Sequence, residues 1–218
     1  MYIPAHFEET NIEILHELMR KHSLATLVTL GADGLNANHI PLELDAEPAP
    51  YGTLRGHVAR ANPMWRDFDS DVEAMVIFQG ANSYITPSWY ATKKETGKVV
   101  PTWNYAVVHA YGELKIIEDT TWLRGLVERL TNHHEAAKDT PWKVSDAPEN
   151  YIEPMLRAIV GIEIPITKIS GKWKVSQNQP HANQIGVIEG LREMNEDTAN
   201  TMAEQVETSA QIKNKKLD

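Results

Sequence analysis

The chain has no cysteine. That excludes disulfides, thiolate nucleophiles and zinc or iron–sulfur sites built on cysteine ligands. It has no apolar run long enough to cross a bilayer as a helix. The opening residues, Met1-Tyr2-Ile3-Pro4-Ala5-His6, offer neither the basic nor the apolar region of a secretory signal, so a cytoplasmic location is expected. Positive charge is also in short supply: 21 Lys and Arg against 30 Asp and Glu give a formal net charge of -9. This disfavours a broad surface that tracks nucleic-acid phosphates, without excluding a local basic patch. The cluster Lys213-Asn214-Lys215-Lys216 reads as a solvated, frayed end. Gly-x-Gly-x-x-Gly, the Walker loop, Gly-x-Ser-x-Gly and His-Glu-x-x-His are all missing. His133-His134-Glu135 invites a metal reading, but neighbouring helix positions point about 100° apart. A solvated helix end is the better reading there, and no metal is expected.

What is present is ample apolar material: 42% of the 218 residues are hydrophobic, enough for one substantial domain with a small appendage. Thr10 and Glu13 stand at capping-box spacing, and Ile14, Leu15, Leu18 and Met19 recur at helical spacing, which predicts a helix over 11–22. Residues 24–30 and 35–44 read as strands joined by Gly31-Ala32-Asp33-Gly34, because Gly and Asp tolerate the positive φ of a hairpin turn. Further strands are expected over 53–58, 73–79 and 102–117, and where Val160, Ile162, Ile164 and Ile166 alternate before turning at Gly171 into Trp173-Lys174-Val175. Helices are expected from 119 or 120 to about 137 and over 148–160, with Pro154 marking a kink or a helix start. Residues 181–207 are acidic and helix-favouring, and read as a peripheral helix or an arm toward a partner. Consecutive, hairpin-connected strands without a βαβ series predict an antiparallel barrel, mainly β with peripheral helices (α+β). The expected division is a barrel domain over 1–180, with a helical insert at about 119–160, and a C-terminal helical arm and flexible tail over 181–218.

Three segments carry chemistry. The first runs from Asn82 to Tyr105 and sets five large rings (Tyr84, Trp89, Tyr90, Trp103, Tyr105) among hydroxyls, amides and prolines. Planar surfaces beside short polar donors suit a flat heteroaromatic ligand, and they equally suit a dimer interface. The second is Arg55-Gly56-His57-Val58-Ala59-Arg60-Ala61-Asn62-Pro63. Alternation places Arg55 and His57 on one strand face, and an Arg at the strand end can hold a phosphate bidentately. The competing reading is a surface Arg60 paired with Asp67 or Asp69. The third, Trp173-Lys174-Val175-Ser176-Gln177-Asn178-Gln179, releases a cation, a hydroxyl and three amides at one strand exit. These groups reach either a phosphate, a ribityl chain or a ring edge, or they form an ordinary polar exit.

At these positions the chain resembles the PaiB family of FMN-binding split-barrel proteins. The words that carry the resemblance are Asn38-His39-Ile40-Pro41-Leu42, Gly56 to Pro63, Tyr84-Ile85-Thr86-Pro87-Ser88-Trp89-Tyr90, Val99 to Tyr105 and Lys174-Val175-Ser176-Gln177-Asn178, in order from near Met1 to about Gly186. The resemblance implies an FMN-binding split β-barrel that forms a homodimer with FMN at the subunit junction. It implies that the strand end at His57, Val58 and Arg60 lies by the phosphate, with Arg60 the main contact, and that Asn62 also binds the cofactor. Asn38, His39, Ile40 and Pro41 would run along the isoalloxazine. Thr102, Trp103, Asn104, Ser176 and Gln177 would complete the pocket, from the same subunit or from the other one. The family is described as negative transcriptional regulators linked to protease synthesis and sporulation. Regulation through DNA or through a protein partner fits that role equally, since no basic recognition helix is visible in this sequence. The alternative is a flavin-dependent oxidoreductase acting on a small molecule with NAD(P)H, for which His39, His57 and Tyr84 are conceivable proton donors and no catalytic residue is singled out. Haem binding on the same barrel would need a His ligand, and none is marked.

Overall fold

Alternating apolar strands and glycine turns dominate the first half of the chain, and amphipathic helices the second. The structure is a computed structural model that describes the backbone of residues 1–215 and side chains to Gln211; of the basic cluster expected to fray, Lys213 to Lys215 continue the last helix and Lys216 lies outside the described residues. In chain order the elements are β1 (Glu8–Glu9), α1 (Ile12–Lys21), β2 (Leu24–Gly31), β3 (Gly34–Pro41), β4 (Glu43–Asp45), β5 (Thr53–Ala59), β6 (Ala74–Ile85), α2 (Thr92–Thr96), β7 (Thr102–Gly112), β8 (Lys115–Ile117), α3 (Thr120–Glu135), α4 (Glu149–Arg157), β9 (Ile159–Pro165), β10 (Lys168–Lys174), α5 (His181–Glu193) and α6 (Asp197–Lys215). The strands form two sheets rather than one closed on itself: a six-stranded sheet in the order β1-β10-β7-β6-β2-β3 and a four-stranded sheet in the order β4-β5-β9-β8.

Several boundaries differ from expectation, each for a local reason. The strand expected over 35–44 is two strands in different sheets. Pro41 has no N–H to extend the ladder, and the next amide, Leu42 N, donates instead to Ser23 O at 2.9 Å. The expected 102–117 strand likewise divides into β7 and β8. β6 runs on to Ile85, so Asn82, Ser83 and Tyr84 are strand residues. The helix expected over 148–160 starts at Glu149 behind Pro148, and Pro154 lies inside it. Asp119 caps α3, its Oδ1 accepting from Trp122 N at 2.7 Å. The predicted β2–β3 hairpin pairs Leu24 with Pro41 through to Gly31 with Gly34, and Gly34 holds φ +107°, a conformation that favours glycine.

The chain divides into two compact units. One comprises Met1–Asn11, Gln79–Val108 and the chain from Ser170 on; the other comprises Ile12–Phe78 and His109–Ile169. In the first unit, Val187, Ile188 and Leu191 of α5 and Ala199, Met202, Ala203 and Val206 of α6 pack with Ala81, Ile85 and Tyr90. The acidic stretch after Pro180 therefore supplies much of this core. Its apolar residues recur at i, i+4 spacing within an acidic composition, which is enough to bury one face of each helix. Trp89 lies against α5 where two glycines make room: a Cβ at Gly190 would come within 2.2 Å of its ring, and one at Gly186 within 2.0 Å of its carbonyl oxygen. In the second unit, Val160, Ile162 and Ile164 of β9 are fully buried, and Leu123, Val144, Ile152 and Leu156 form a separate cluster beneath α3 and α4.

Candidate functional site

The residues expected to hold a ligand fall into two groups, one in each unit. In the second unit, β3 is the last strand of its sheet, so its outer backbone N–H and C=O groups have no strand partner among the described residues. Alternation points Asn36 and Asn38 to one face and His39 and Pro41 to the other, where both are exposed. Asn38 Nδ2 donates to Asn36 Oδ1 at 2.9 Å, and Asn62 Nδ2 donates to Asn38 Oδ1 at 2.8 Å. Asn62 Oδ1 in turn accepts from Met64 N at 3.0 Å, which caps the short 3-10 turn Pro63–Trp65. Asn38 and Asn62 are thus joined across 24 residues. Ile40 and Val58 are buried apolar side chains, so only their backbones remain available to a ligand.

His57 lies on β5 opposite Gly161. Its Nδ1 is buried without a hydrogen-bond partner, and burial pushes the imidazole pKa below its ordinary 6.5, so the ring is neutral near pH 7. The adjacent Gly56 sits close to the β3–β4 joint: a Cβ there would meet the Leu42 side chain at 2.6 Å and Pro41 O at 3.0 Å. Arg60, at the strand exit, pairs with Glu118 at 2.6 Å rather than with Asp67 or Asp69. Its Nε donates to Arg157 O at 2.8 Å and its Nη2 to Ile159 O at 3.3 Å. Three of the five guanidinium N–H bonds are thereby committed within the unit. Arg55, on the same β5 face as His57, is held by Asp45 at 2.7 Å and Glu163 at 2.9 Å.

In the first unit, Thr102, Trp103, Asn104, Ser176 and Gln177 do come together. Asn104 Nδ2 donates to Ser176 Oγ at 2.9 Å, with the two residues only 1% and 3% exposed. Ser176 adopts φ +62°, and its carbonyl accepts from Gln184 Nε2 at 3.0 Å. The Gln177 side chain folds back on its own turn, accepting from Val175 N at 2.8 Å and donating to Trp173 O. These polar groups therefore hold the turn between β10 and α5. Lys174 is a site residue that the sequence reading noted without assigning. Its Nζ donates to Thr102 Oγ1 and, at 2.7 Å, to Trp103 O, and burial lowers its pKa below the ordinary 10.5. Strand alternation, which sets Lys172 and Lys174 on one side of β10, is the signal that would have found it.

The structure also sorts the five rings. Tyr90 is buried in the first unit's core, Trp89 packs on the α5 glycines, and Tyr105 lies under the Lys172 ammonium, 5.3 Å from its ring centroid. Tyr84 and Trp103 remain exposed, at 47% and 54%, and meet edge to face with centroids 6.1 Å apart. Among the described residues no group of three or more His, Asp or Glu is placed to hold a metal ion, and no helix is long and apolar enough to cross a membrane.

Amides on the open strand edge of the second unit, and uncovered aromatic faces in the first, are each suited to an aromatic, hydrogen-bonding ligand. The family model described as "Putative FMN-binding domain" matches residues 1–168. The chain belongs to this FMN-binding family, and its fold is the split barrel of flavin-binding proteins. Among relatives, it is 34% identical to the protease synthase and sporulation protein PAI 2 of Bacillus subtilis, over 95% of this chain and 97% of that protein. It is 35% identical to protein AN0679 of Emericella nidulans, over 99% of this chain and all of that protein. Among solved structures it is similar to a FAD- and haem-binding protein of Mycobacterium smegmatis, with a TM-score of 0.56 and 16% identity over 77% of this chain and 73% of that one. At that identity the likeness speaks to the fold alone.

Proposed function

We propose that the protein is a homodimeric FMN-binding protein of the PaiB type that acts as a flavin-linked regulator or sensor. The carrying observation is the second unit's open β3 edge, where unpaired backbone accompanies Asn38 and His39. The pyrimidine edge of a flavin alternates acceptors and a donor much as a peptide edge does, so this chemistry suits FMN. Bound FMN supplies electron or hydride transfer. Asn38, His39 and the backbone of Ile40 and Pro41 would orient its ring, with the Asn36–Asn38–Asn62 amide chain fixing the rotamer of Asn38. His57, the backbone of Val58 and Asn62 would lie toward its phosphate, and Arg60 would meet the phosphate through the two N–H bonds left by its protein contacts. In the first unit, Thr102, Trp103, Asn104, Ser176 and Gln177 would serve as further cofactor contacts, with Trp103 and Tyr84 offering ring faces and Lys174 a cation.

The homodimer is supported by one face of the β2–β3 hairpin. There Leu24 is paired with Pro41 and Leu30 with Leu35, and Leu35 is 81% exposed. An open apolar sheet face of this kind suits a second copy of the chain. The regulatory reading is supported by the sporulation role in the Bacillus relative's name. A net charge of -9 favours action through a protein partner over tight intrinsic DNA binding. A cytoplasmic location agrees with this reading.

The test is reconstitution of the flavin-free protein with FMN, followed by flavin fluorescence and sedimentation. Saturable quenching in a dimer is expected, and Leu35→Glu should yield monomers. The absence of saturable quenching would overturn the reading. Turnover of NAD(P)H by the FMN-loaded protein would make it an oxidoreductase instead of a sensor.

A further inference from the structure

The second unit contains a cleft of about 160 Å³ that plays no part in the flavin reading. Its polar lining is Arg20 from the last turn of α1, Ser23, Glu43 of β4, and Arg129, His133 and His134 from the C-terminal half of α3. The volume is well above the ~10–15 Å³ needed for one water. Helix C-termini attract cations, which accounts for a basic residue in each last turn. It does not account for two guanidiniums and two imidazoles converging on one space. Arg129 and His133 stand at i, i+4 on α3 and share a face, and the His133 and His134 rings meet edge to face with centroids 5.1 Å apart.

The charges determine which ligand fits. Glu43 takes Arg129 Nε on both carboxylate oxygens at 2.9 Å, leaving the two terminal nitrogens of Arg129 without a protein acceptor among the described residues. Arg20 has no ion-pair partner within 4.0 Å among the described residues. The lining sets Arg20 and Arg129 against Glu43, a net charge of +1 apart from the imidazoles. A metal ion would face two arginines there, so the histidine pair is unsuited to metal. We propose that this cleft binds a phosphate dianion, either free or as the terminal group of a small phosphomonoester, with Arg20 and the free nitrogens of Arg129 as its charged contacts and Ser23, His133 and His134 as further donors.

The test uses the full chain saturated with FMN, so that phosphate is kept from any flavin site. Inorganic phosphate and glycerol phosphate are titrated separately at constant ionic strength while the imidazole NMR signals of His133 and His134 are followed. Acetate serves as a monoanion control. Saturable shifts with at least one phosphate compound and none with acetate are expected, and comparing the two compounds distinguishes the free anion from the ester. Arg20→Gln and Arg129→Gln should each weaken binding about tenfold, the loss of one charge-assisted contact. Arg20 has no ion pair to lose, so its variant carries the test even if Arg129→Gln unsettles the Glu43 contact. Shifts equal to those with acetate, or unchanged affinity in Arg20→Gln, would overturn the proposal. The imidazole readout reports on this cleft whether or not FMN binds, so failure of the flavin reading is seen separately as missing fluorescence quenching.

Discussion

The Arg60 guanidinium and the Glu118 carboxylate meet at 2.6 Å and fasten the turn after β5 to the end of β8. Because Arg60 also donates to two carbonyls, its orientation is fixed before any ligand arrives. Arg60→Ala should weaken FMN retention by ~2–3 kcal/mol, through loss of a charge-assisted phosphate contact. Glu118→Gln keeps the shape and removes the competing carboxylate, so retention there should hold or improve. Equal losses in both variants, measured by FMN equilibrium dialysis, would mean that Arg60 serves only to close the turn.

The buried Asn104–Ser176 pair makes a second, separate prediction. Removing the amide strands a hydroxyl at 3% exposure in a turn that already holds φ +62°. Asn104→Ala should cost about 1–3 kcal/mol in urea denaturation, the price of an unsatisfied buried polar group. A loss below about 0.5 kcal/mol would show that the pair contributes little to the turn.

Gly190→Ala should be destabilising by about 1–3 kcal/mol, because the new methyl overlaps the Trp89 ring. Combining it with Trp89→Leu should restore part of the loss, and thermal melts of the four-member cycle give the coupling energy. Strict additivity would contradict the packing described for α5.

Stability should fall as pH drops below about 6.5. His57 and His109 each bury an Nδ1 without a partner, and burial lowers both pKa values below the ordinary 6.5. Above that pH the rings are neutral in both folded and unfolded chains, and the full contribution is present. Below it the unfolded chain takes up protons that the folded chain refuses, so acid favours unfolding by up to ~1.4 kcal/mol per pH unit for each ring. Urea titrations of the flavin-free protein between about pH 7 and pH 5 should show this slope. His57→Gln should flatten it, and an unchanged slope in that variant would remove His57 from the account.

Much of this architecture was legible in the sequence where the signal is local. Gly31 to Gly34 fixed the hairpin, Asp119 the start of α3, and the Val160, Ile162, Ile164 alternation the buried strand β9. What escaped depends on tertiary partners. A sequence can place Arg60 near Asp67, but only the folded chain brings Glu118 from 58 residues away. The five rings looked equivalent in sequence, yet two glycines on α5 claim Trp89 and the core claims Tyr90, leaving Tyr84 and Trp103 uncovered. The acidic composition of α5 and α6 masked one apolar face on each, which is where the burial lies. Of the expected ligand residues, Asn38 with Asn62 and Asn104 with Ser176 are brought into contact, and their shared amide and hydroxyl chemistry was visible beforehand.

Leu42 lies between two strands that belong to different sheets, β3 on one side and β4 on the other. A single residue added or deleted at this joint would turn every side chain of one strand to its opposite face, or drag the neighbouring strand out of step to avoid it. The turn at Ala32-Asp33 and the loop after Asp45 carry no such double obligation. Length variation in this part of the molecule should therefore gather in those two connections, while the spacing from Asn38 to Glu43 stays constant.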